Sequence, residues 1–306
     1  MEELLKKAYD KSIVFAKEGK AADYIPELGK ADITKAGVSL IDLEGNIFSY
    51  GDTEDKFSIQ SILKVVFYLL ALERVKKEKL EKTIGVKPTA LAFNSVMDIE
   101  LAEGKPRNPF VNSGAMASIA LLYEIYGDDT EDLIFEAAKN LMGDNTLAHS
   151  EEIYQSEMDT AYNNIAIINL MVGKGVLPED TPRQKVLETY IKTSAILVNV
   201  VNLSRLSSII ANNGYDLVAG ERKFDEKYGR ILRTVMSTCG MYNYAGEFAL
   251  NVGMPAKSGV GGGIIAAPKT GHGIATYCPG LDEFGNSLVG TKMMEIISKE
   301  LDLSIY

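Results

Sequence analysis

The sequence has little of several residue types, and each shortage excludes a class of protein or site. Its 306 residues include no tryptophan, two cysteines (Cys239 and Cys278) and two histidines (His149 and His272). Two distant thiols cannot form the disulfide framework of a small secreted domain, and they suit a reducing compartment. Two distant histidines exclude an HExxH helix or a histidine-rich metal cluster. A Ser-His-Asp triad would need one of them, and no Gly-x-Ser-x-Gly turn supplies its serine.

Basic residues are in the minority and long hydrophobic runs are absent. Lysine and arginine number 32 against 42 acidic residues, a net charge of −10, which argues against binding to nucleic acid or to an anionic membrane. The longest apolar stretches, around residues 65–72 and 195–201, fall well short of the ~20 residues that cross a bilayer. The N-terminal segment is too charged for a signal peptide. We therefore expect a cytoplasmic protein with no nucleic-acid or membrane partner.

The first third of the chain contains both helix and strand signals. Residues 4–17 have the apolar periodicity of an amphipathic helix. A β-hairpin is predicted over residues 38–50. Apolar and polar residues alternate from Val38, Glu44-Gly45-Asn46 has the composition of a turn, and residues 47–50 have the pattern of a second strand. From Ser61 the pattern predicts a long apolar helix. Residues 84–111 show neither helix nor strand periodicity in their apolar residues and contain several glycines and prolines. A segment of this length and composition is typical of a functional loop.

Helical patterning dominates from Ser113 to about Asn213, and strand signals then return. We expect strands over residues 248–252, 264–267 and 274–277, and a closing helix over residues 288–301. Strands at both ends of the chain with helices between them exclude a simple series of βαβ units.

These patterns predict an α/β protein of the α+β type. We expect residues 1–60 and 215–306 to form one domain, an antiparallel sheet flanked by helices. Residues 61–214 would form a helical domain inserted between its strands. The seam between the two domains would create a cleft that suits a small molecule.

Ser61 and Lys64 are the first candidates for catalytic chemistry. Their spacing at the start of a helix places the hydroxyl and the amine on one helical face. Apolar neighbours would desolvate the lysine and lower its pKa toward that of a base. Amides at a helix N-terminus could bind an oxyanion. A Ser-x-x-Lys tetrapeptide also arises about once by chance in a chain of this length, so the motif alone is weak.

A second candidate is the glycine-rich segment 257–263, which begins Lys-Ser-Gly. In active-site serine acyl-transfer enzymes such a strand faces the Ser-x-x-Lys helix across the cleft. A plain glycine-rich turn between strands is the alternative. Tyr242 could relay a proton in place of histidine, or it could be a core aromatic residue. The middle motif of penicillin-recognising enzymes is not clear, and Tyr162-Asn163-Asn164 is better explained as a coincidence.

Several segments, taken together, resemble the serine-dependent glutaminases of the bacterial and mitochondrial type, a family related in fold to the β-lactamases. They run in family order from Tyr24 to Gly290, so the resemblance covers nearly the whole chain. The matching segments are Tyr24–Leu28, Phe57–Lys64, Ala92–Ser95, Asn108–Ala115, Ser156-Glu157, Leu187–Tyr190, Thr238–Tyr242, Pro255–Gly263, Pro279–Asp282 and Gly285–Ser287.

The resemblance implies a β-lactamase or penicillin-binding-protein-like fold and the hydrolysis of L-glutamine to L-glutamate and ammonia through a glutamyl-Ser61 acyl-enzyme. It implies Ser61 as the nucleophile and Lys64 as the base, working with Tyr242, and the amides of Ser61 and Val260 as the oxyanion hole. Residues implied to hold the amino-acid end of the substrate are Tyr24, Asn112, Glu157, Asn164 and Tyr190. The resemblance also implies no metal or organic cofactor and a homodimer or homotetramer.

The implied pocket suits a zwitterion, because Glu157 supplies a carboxylate for the ammonium group and neutral amides and hydroxyls can bind the α-carboxylate. Without the resemblance, Glu157 would be interpreted as a surface residue and the asparagines as helix caps. Asn163 stands where the family usually has arginine or a similar residue, and the spacing from Glu157 selects Asn164. A penicillin-recognising serine acyl-transferase and a non-catalytic amino-acid-binding scaffold remain the alternatives.

Overall fold

The computed structural model describes residues 1–306, and its main sheet is built from both ends of the chain. The strands are β1 (Gly37–Ile41), β2 (Ile47–Gly51), β3 (Phe57–Ser58), β4 (Leu197–Val198), β5 (Tyr215–Asp216), β6 (Glu221–Arg222), β7 (Ala256–Ser258), β8 (Gly263–Ala266) and β9 (Gly273–Tyr277). The main sheet has the order β2-β1-β9-β8-β7, and all its neighbouring strands are antiparallel. The expected antiparallel sheet from both termini is confirmed.

The predicted hairpin is formed by β1 and β2, which pair from Gly37 opposite Gly51 to Ile41 opposite Ile47. Its turn needs a glycine for two reasons. Gly45 has a φ of +86°, a conformation that side chains with a Cβ rarely adopt. A Cβ there would also lie 2.7 Å from the carbonyl oxygen of Leu217. The turn residues therefore fix the hairpin register.

The chain has thirteen α-helices, and none has the length and hydrophobicity that a bilayer crossing requires. They are α1 (Glu2–Ser12), α2 (Lys64–Arg74), α3 (Lys77–Thr83), α4 (Val96–Leu101), α5 (Asn112–Tyr126), α6 (Thr130–Met142), α7 (Glu151–Met158), α8 (Tyr162–Gly173), α9 (Arg183–Ser194), α10 (Val200–Ala211), α11 (Glu226–Cys239), α12 (Ala245–Asn251) and α13 (Leu288–Leu301).

The two faces of the sheet are covered by different helices. Helices α1 and α13 pack on one face, where Val38 and Leu40 of β1 are buried. Helix α10 packs on the other face, and the hydroxyls of Ser39 and Ser204 lie 2.8 Å apart there. Both faces of the sheet are therefore closed to solvent at β1, whose residues are all buried, whereas alternate residues of the edge strand β2 are exposed.

Helix α2 lies at the centre of the remaining helices and is apolar on all sides. Its residues from Val65 to Ala71 are all buried against neighbours that include α5 and α11. A helix without a polar face is stable only where protein surrounds it. The first residue of this helix, Lys64, is consequently held inside the protein.

Three local predictions differ from the structure. Residues 248–252 fall in and after helix α12 and not in a strand, because Phe248 and Val252 are buried four residues apart while Leu250 is 85% exposed. The first helix ends at Ser12 and continues as a 3-10 segment. The loop 84–111 contains the short helix α4, which is capped by Ser95. The domain boundaries at residues 60 and 214 stay a prediction.

Candidate active site

Seven of the nine predicted site residues line one cavity of about 310 Å³. They are Tyr24, Ser61, Asn112, Glu157, Asn164, Tyr190 and Val260. Seven further residues complete the lining: Ile25, Gln60, Phe93, Asn94, Thr160, Ala161 and Asn163. Lys64 and Tyr242, the other two predicted residues, lie beside this cavity and contact residues of its wall.

Ser61 lies in a 3-10 turn over Gln60–Leu63 that leads directly into α2. The preceding residue, Gln60, has a φ of +49°, a left-handed conformation that is uncommon for residues other than glycine. Ser61 is buried but lines the cavity. The chain therefore holds an unusual backbone conformation next to the predicted nucleophile, as functional sites often do.

Lys64 is fully buried, and no carboxylate lies within 4.0 Å of its amine. Its Nζ donates hydrogen bonds to Oδ1 of Asn112 at 2.6 Å and to the carbonyl oxygen of Phe110 at 3.2 Å. Burial lowers the pKa of Lys64 to about 7, and the charge of Glu157 opposes this shift. A substantial fraction of the amine is thus uncharged at neutral pH and can accept a proton.

The side chains of Asn112 and Asn164 extend the hydrogen bonds of Lys64 along the cavity wall. Asn112 accepts from Lys64 through Oδ1 and donates through Nδ2 to Oδ1 of Asn164 at 2.8 Å. Asn164 is 8% exposed whereas Asn163 is exposed, although both line the cavity. Neither Asn112 nor Asn164 is the N-cap of its helix.

Glu157 is a buried carboxylate without a cation within 4.0 Å. It lies near the end of α7 and accepts a hydrogen bond from Nε2 of Gln60 at 3.3 Å. Burial raises the pKa of Glu157 to about 7, with Gln60 and Lys64 opposing the shift. A bound ammonium group would supply the missing positive charge, so this end of the cavity suits a cationic ligand group.

Two tyrosines add protonated hydroxyls to the site. Burial raises the pKa of Tyr190 well above its ordinary range. Burial also raises the pKa of Tyr242 to about 12, while hydrogen bonding with Ser61 lowers it. Tyr242 has a φ of +55°, and its ring lies 4.8 Å from that of Phe93 between the ring centroids. Both hydroxyls are therefore hydrogen-bond donors at neutral pH.

A second buried lysine, Lys257 on β7, lies against Tyr242. Its Nζ is 4.5 Å from the centroid of the Tyr242 ring, and it donates to the carbonyl oxygen of Ser258, which also accepts from the Tyr242 hydroxyl at 3.3 Å. Burial and the nearby Lys64 lower the pKa of Lys257 well below its ordinary value. The amine thus helps to fix the position of the tyrosine.

The turn between β7 and β8 brings Val260 to the cavity that Ser61 also lines. The Val260 amide makes no hydrogen bond within the chain. Its glycine neighbours permit the close approach, because a Cβ at Gly259 would lie 2.7 Å from the Ile59 carbonyl oxygen and one at Gly261 would lie 2.2 Å from that of Ser58. A free amide beside a hydroxyl can stabilise a negatively charged oxygen.

Among the site residues that were not predicted, Gln60, Phe93 and Lys257 each contact a predicted one. Gln60 and Phe93 lie in segments that match the family, and Lys257 begins the Lys-Ser-Gly motif. The sequence motifs therefore include these three positions. Their partners, however, lie far away along the chain, and only the fold brings Gln60 to Glu157 or Lys257 to Tyr242.

Known proteins of one family match the chain over almost its whole length. A family model described as Glutaminase matches residues 19–306. The chain is 39% identical over 293 residues to a glutaminase of Clostridium tetani (strain Massachusetts / E88), which covers 95% of both proteins. It is 38% identical over 307 residues to a glutaminase of Clostridium botulinum (strain Loch Maree / Type A3), which covers the full length of both.

Solved structures give the same result. The chain resembles a probable glutaminase, ybaS, with a TM-score of 0.94 and 34% identity, over 100% of this chain and 97% of that one. It also resembles the probable glutaminase of Bacillus subtilis complexed with 6-diazo-5-oxo-L-norleucine, with a TM-score of 0.89 and 29% identity, over 100% and 97% of the two chains.

Proposed function

The chain belongs to the glutaminase family, and we propose that it hydrolyses L-glutamine to L-glutamate and ammonia through a glutamyl ester on Ser61. One observation carries the proposal. One cavity is lined by Ser61, by Glu157, which has no cation within 4.0 Å, and by Val260, whose amide makes no hydrogen bond within the chain. The buried Lys64 amine is hydrogen-bonded to Asn112 in the wall of this cavity.

Glutamine binding would depend on its amino-acid end. Glu157 would pair with the substrate ammonium group, which restores an ion pair to a carboxylate that otherwise has none. Asn112, Asn164, Tyr190 and the half-exposed Tyr24 would bind the α-carboxylate through neutral groups. A site that hydrogen-bonds both groups discriminates against a plain amide by about a hundredfold or more.

In the acylation step the Ser61 oxygen attacks the side-chain carbonyl carbon of glutamine, and the hydroxyl proton passes to the uncharged amine of Lys64. The amides of Ser61 and Val260 hold the oxygen that becomes negative. When the C–N bond breaks, Tyr242 donates a proton to the departing ammonia and is reprotonated by Lys64. The pKa of Tyr242, raised by burial to about 12, keeps this hydroxyl protonated at neutral pH and so supports its role as the proton donor.

Deacylation reverses these roles with water in place of ammonia. A water molecule gives a proton to the same base and attacks the glutamyl ester. The ester bond then breaks, the proton returns to the Ser61 oxygen, and glutamate leaves. Both halves of the reaction use the same base and the same amides, so one arrangement of side chains serves acylation and deacylation.

We also propose that the protein assembles as a homodimer or homotetramer. Four exposed apolar side chains on the adjacent helices α4 and α8 support association: Met97, Leu101, Tyr162 and Ile165. Light scattering coupled to size-exclusion chromatography would give the mass in solution. A monomer at micromolar concentration would contradict this assembly.

The function is tested by an ammonia-release assay with glutamine, asparagine and a simple amide. We expect glutamine to be preferred, Ser61→Ala to abolish turnover, and the matched control Ser237→Ala on α11 to retain it. Equal activity of Ser61→Ala would end the nucleophile assignment. Hydrolysis of nitrocefin without ammonia release would favour a penicillin-recognising enzyme, and tight glutamine binding without turnover would favour a binding scaffold.

A further inference from the structure

A second, much smaller cavity adjoins the active-site cavity on the side of Tyr242. The space in it that is open to the centre of a water-sized molecule is about 10 Å³, which is about the least that holds one water molecule. Phe93 lines both cavities, whereas Tyr242, whose ring lies 4.8 Å from that of Phe93 between the centroids, lines only the smaller of the two. The two cavities therefore meet at these two rings.

The wall of the small cavity carries no charged side chain. Asn108, its only amide side chain, is satisfied within the chain, because Nδ2 donates to the Lys87 carbonyl oxygen at 2.9 Å and Oδ1 accepts from the Phe110 amide at 3.0 Å. Most of the other lining residues are apolar: Leu91, Phe93, Phe110, Val111 and Cys239. Because an ion loses hydration energy in such surroundings, this cavity suits a small neutral molecule.

The small cavity lies between the groups proposed to move protons and the protein surface. On its inner side are Tyr242 and Phe110, whose carbonyl oxygen accepts from Nζ of Lys64 at 3.2 Å. On its outer side are Thr238 of α11, which is exposed, and Leu91, which is half-buried. A molecule released beside Tyr242 could therefore reach solvent here without crossing the larger cavity.

The proposed reaction needs such a route because the glutamyl group stays on Ser61 between its two halves. During this interval the glutamyl chain occupies the larger cavity, yet ammonia must leave and water must reach the ester carbon. Tyr242 would give its proton to the departing nitrogen, so the leaving group is neutral ammonia, formed beside a ring that lines the small cavity. Ammonia and water are both small and neutral, as the size and the wall of this cavity require.

We propose that the small cavity is the exit for ammonia and the entrance for the water that hydrolyses the glutamyl ester. The inference rests on the proposed function and adds the path of its leaving group. As the C–N bond breaks, the Ser61 oxygen keeps the glutamyl carbon, Tyr242 protonates the nitrogen, and ammonia passes the half-buried ring of Phe93 into the small cavity. Water follows the same path inward, and glutamate leaves later through the larger cavity.

Two nucleophiles of different size test the route in the unmodified protein. Hydroxylamine and O-benzylhydroxylamine present the same nitrogen, but the second carries a bulky ring. Either would replace water, attack the glutamyl ester and release the Ser61 hydroxyl. We expect mass spectrometry to detect the hydroxamate from hydroxylamine, and the benzyl product to form about tenfold more slowly or less, because its ring does not fit the small cavity. Equal capture of the two nucleophiles would overturn the proposal.

A variant at the outer end of the small cavity then locates the route. Thr238→Phe would fill this end, whereas the matched control Thr234→Phe lies one turn earlier on α11 and outside the lining. Both threonines are exposed, and both hydroxyls bond to carbonyl oxygens of the preceding turn. Because product release limits many enzymes, we expect kcat for glutamine to fall about fivefold or more in Thr238→Phe and to stay near the wild-type value in Thr234→Phe.

Binding of L-glutamate separates a blocked route from a damaged site. Glutamate enters the larger cavity, so calorimetry should give Thr238→Phe nearly the wild-type affinity although its kcat is lower. An equal kcat in Thr238→Phe and Thr234→Phe, or a loss of glutamate binding that accounts for the lower kcat, would overturn the route while the proposed function stands. A wild-type protein that releases no ammonia would instead overturn the proposed function, and the route with it.

Discussion

Replacing Glu157 by glutamine removes a charge while nearly keeping the shape of the side chain. Glu157 is 8% exposed and has no cation within 4.0 Å, so the substrate ammonium group would be its ion-pair partner. Loss of one partner of a buried charge pair costs about 2–5 kcal/mol. Since about 1.4 kcal/mol is a factor of ten, kcat/KM for glutamine should fall by roughly 30-fold to several thousandfold.

Although Glu157→Gln should lower activity, it should not lower the stability of the folded protein at high pH. Burial raises the pKa of Glu157 from 4.5 to about 7, so the folded state binds this proton more tightly than the unfolded state. This contribution favours folding at low pH and is lost as the pH rises through 7. Above pH 7 the buried charge costs on the order of 3 kcal/mol, which the neutral amide avoids. The variant should be at least as stable as the wild type at pH 8.

Steady-state ammonia kinetics and thermal melts at pH 5.5 and pH 8 test both effects. The matched control is Glu151→Gln on the same helix, whose side chain is 70% exposed and whose loss should change neither measurement much. A loss of kcat/KM below threefold would refute the ammonium-binding role of Glu157. A variant that melts well below the wild type at both pH values would show that Glu157 is structural.

Three further predictions concern the proton relay. Because the pKa of Lys64 is about 7 and the base must be uncharged, kcat/KM should rise with pH through 7, and a pH-rate profile that falls over this range would contradict the role of Lys64. Tyr242→Phe keeps the ring against Phe93 but removes the relay hydroxyl, so kcat should fall by about 10²–10⁴-fold with KM nearly unchanged. Lys257→Met should lower kcat, and Lys257→Arg should not restore kcat, because the side chain of Lys257 is fully buried. If the Met variant had wild-type kinetics, Lys257 would have no positioning role.

Much of the fold could be predicted because its signals are local. The β1–β2 hairpin follows from Glu44-Gly45-Asn46 and the alternation on either side. The closing helix α13 has the predicted bounds. Helix α12 was missed because apolar residues four apart, Phe248 and Val252, fit either a helix face or one side of a strand over so short a segment.

The site is less accessible from sequence because its energetics depend on burial and on distant partners. Glu157 sits in a run of acidic residues that resembles a solvated helix face, yet the fold encloses it and joins it to Gln60. The apolar neighbours of Lys64 did predict its desolvation and lowered pKa. Nothing in the local sequence of Asn112 indicates that it links Lys64 to Asn164.

Covalent labelling with 6-diazo-5-oxo-L-norleucine, the compound complexed with the Bacillus subtilis relative, would show whether Ser61 is the nucleophile. Intact-mass and peptide mass spectrometry should find one adduct per chain, located on Ser61, slowed by glutamate and absent from a folded Ser61→Ala variant. An adduct on another residue such as Cys239 or Tyr242, or equal labelling of Ser61→Ala, would show that Ser61 is not the nucleophile.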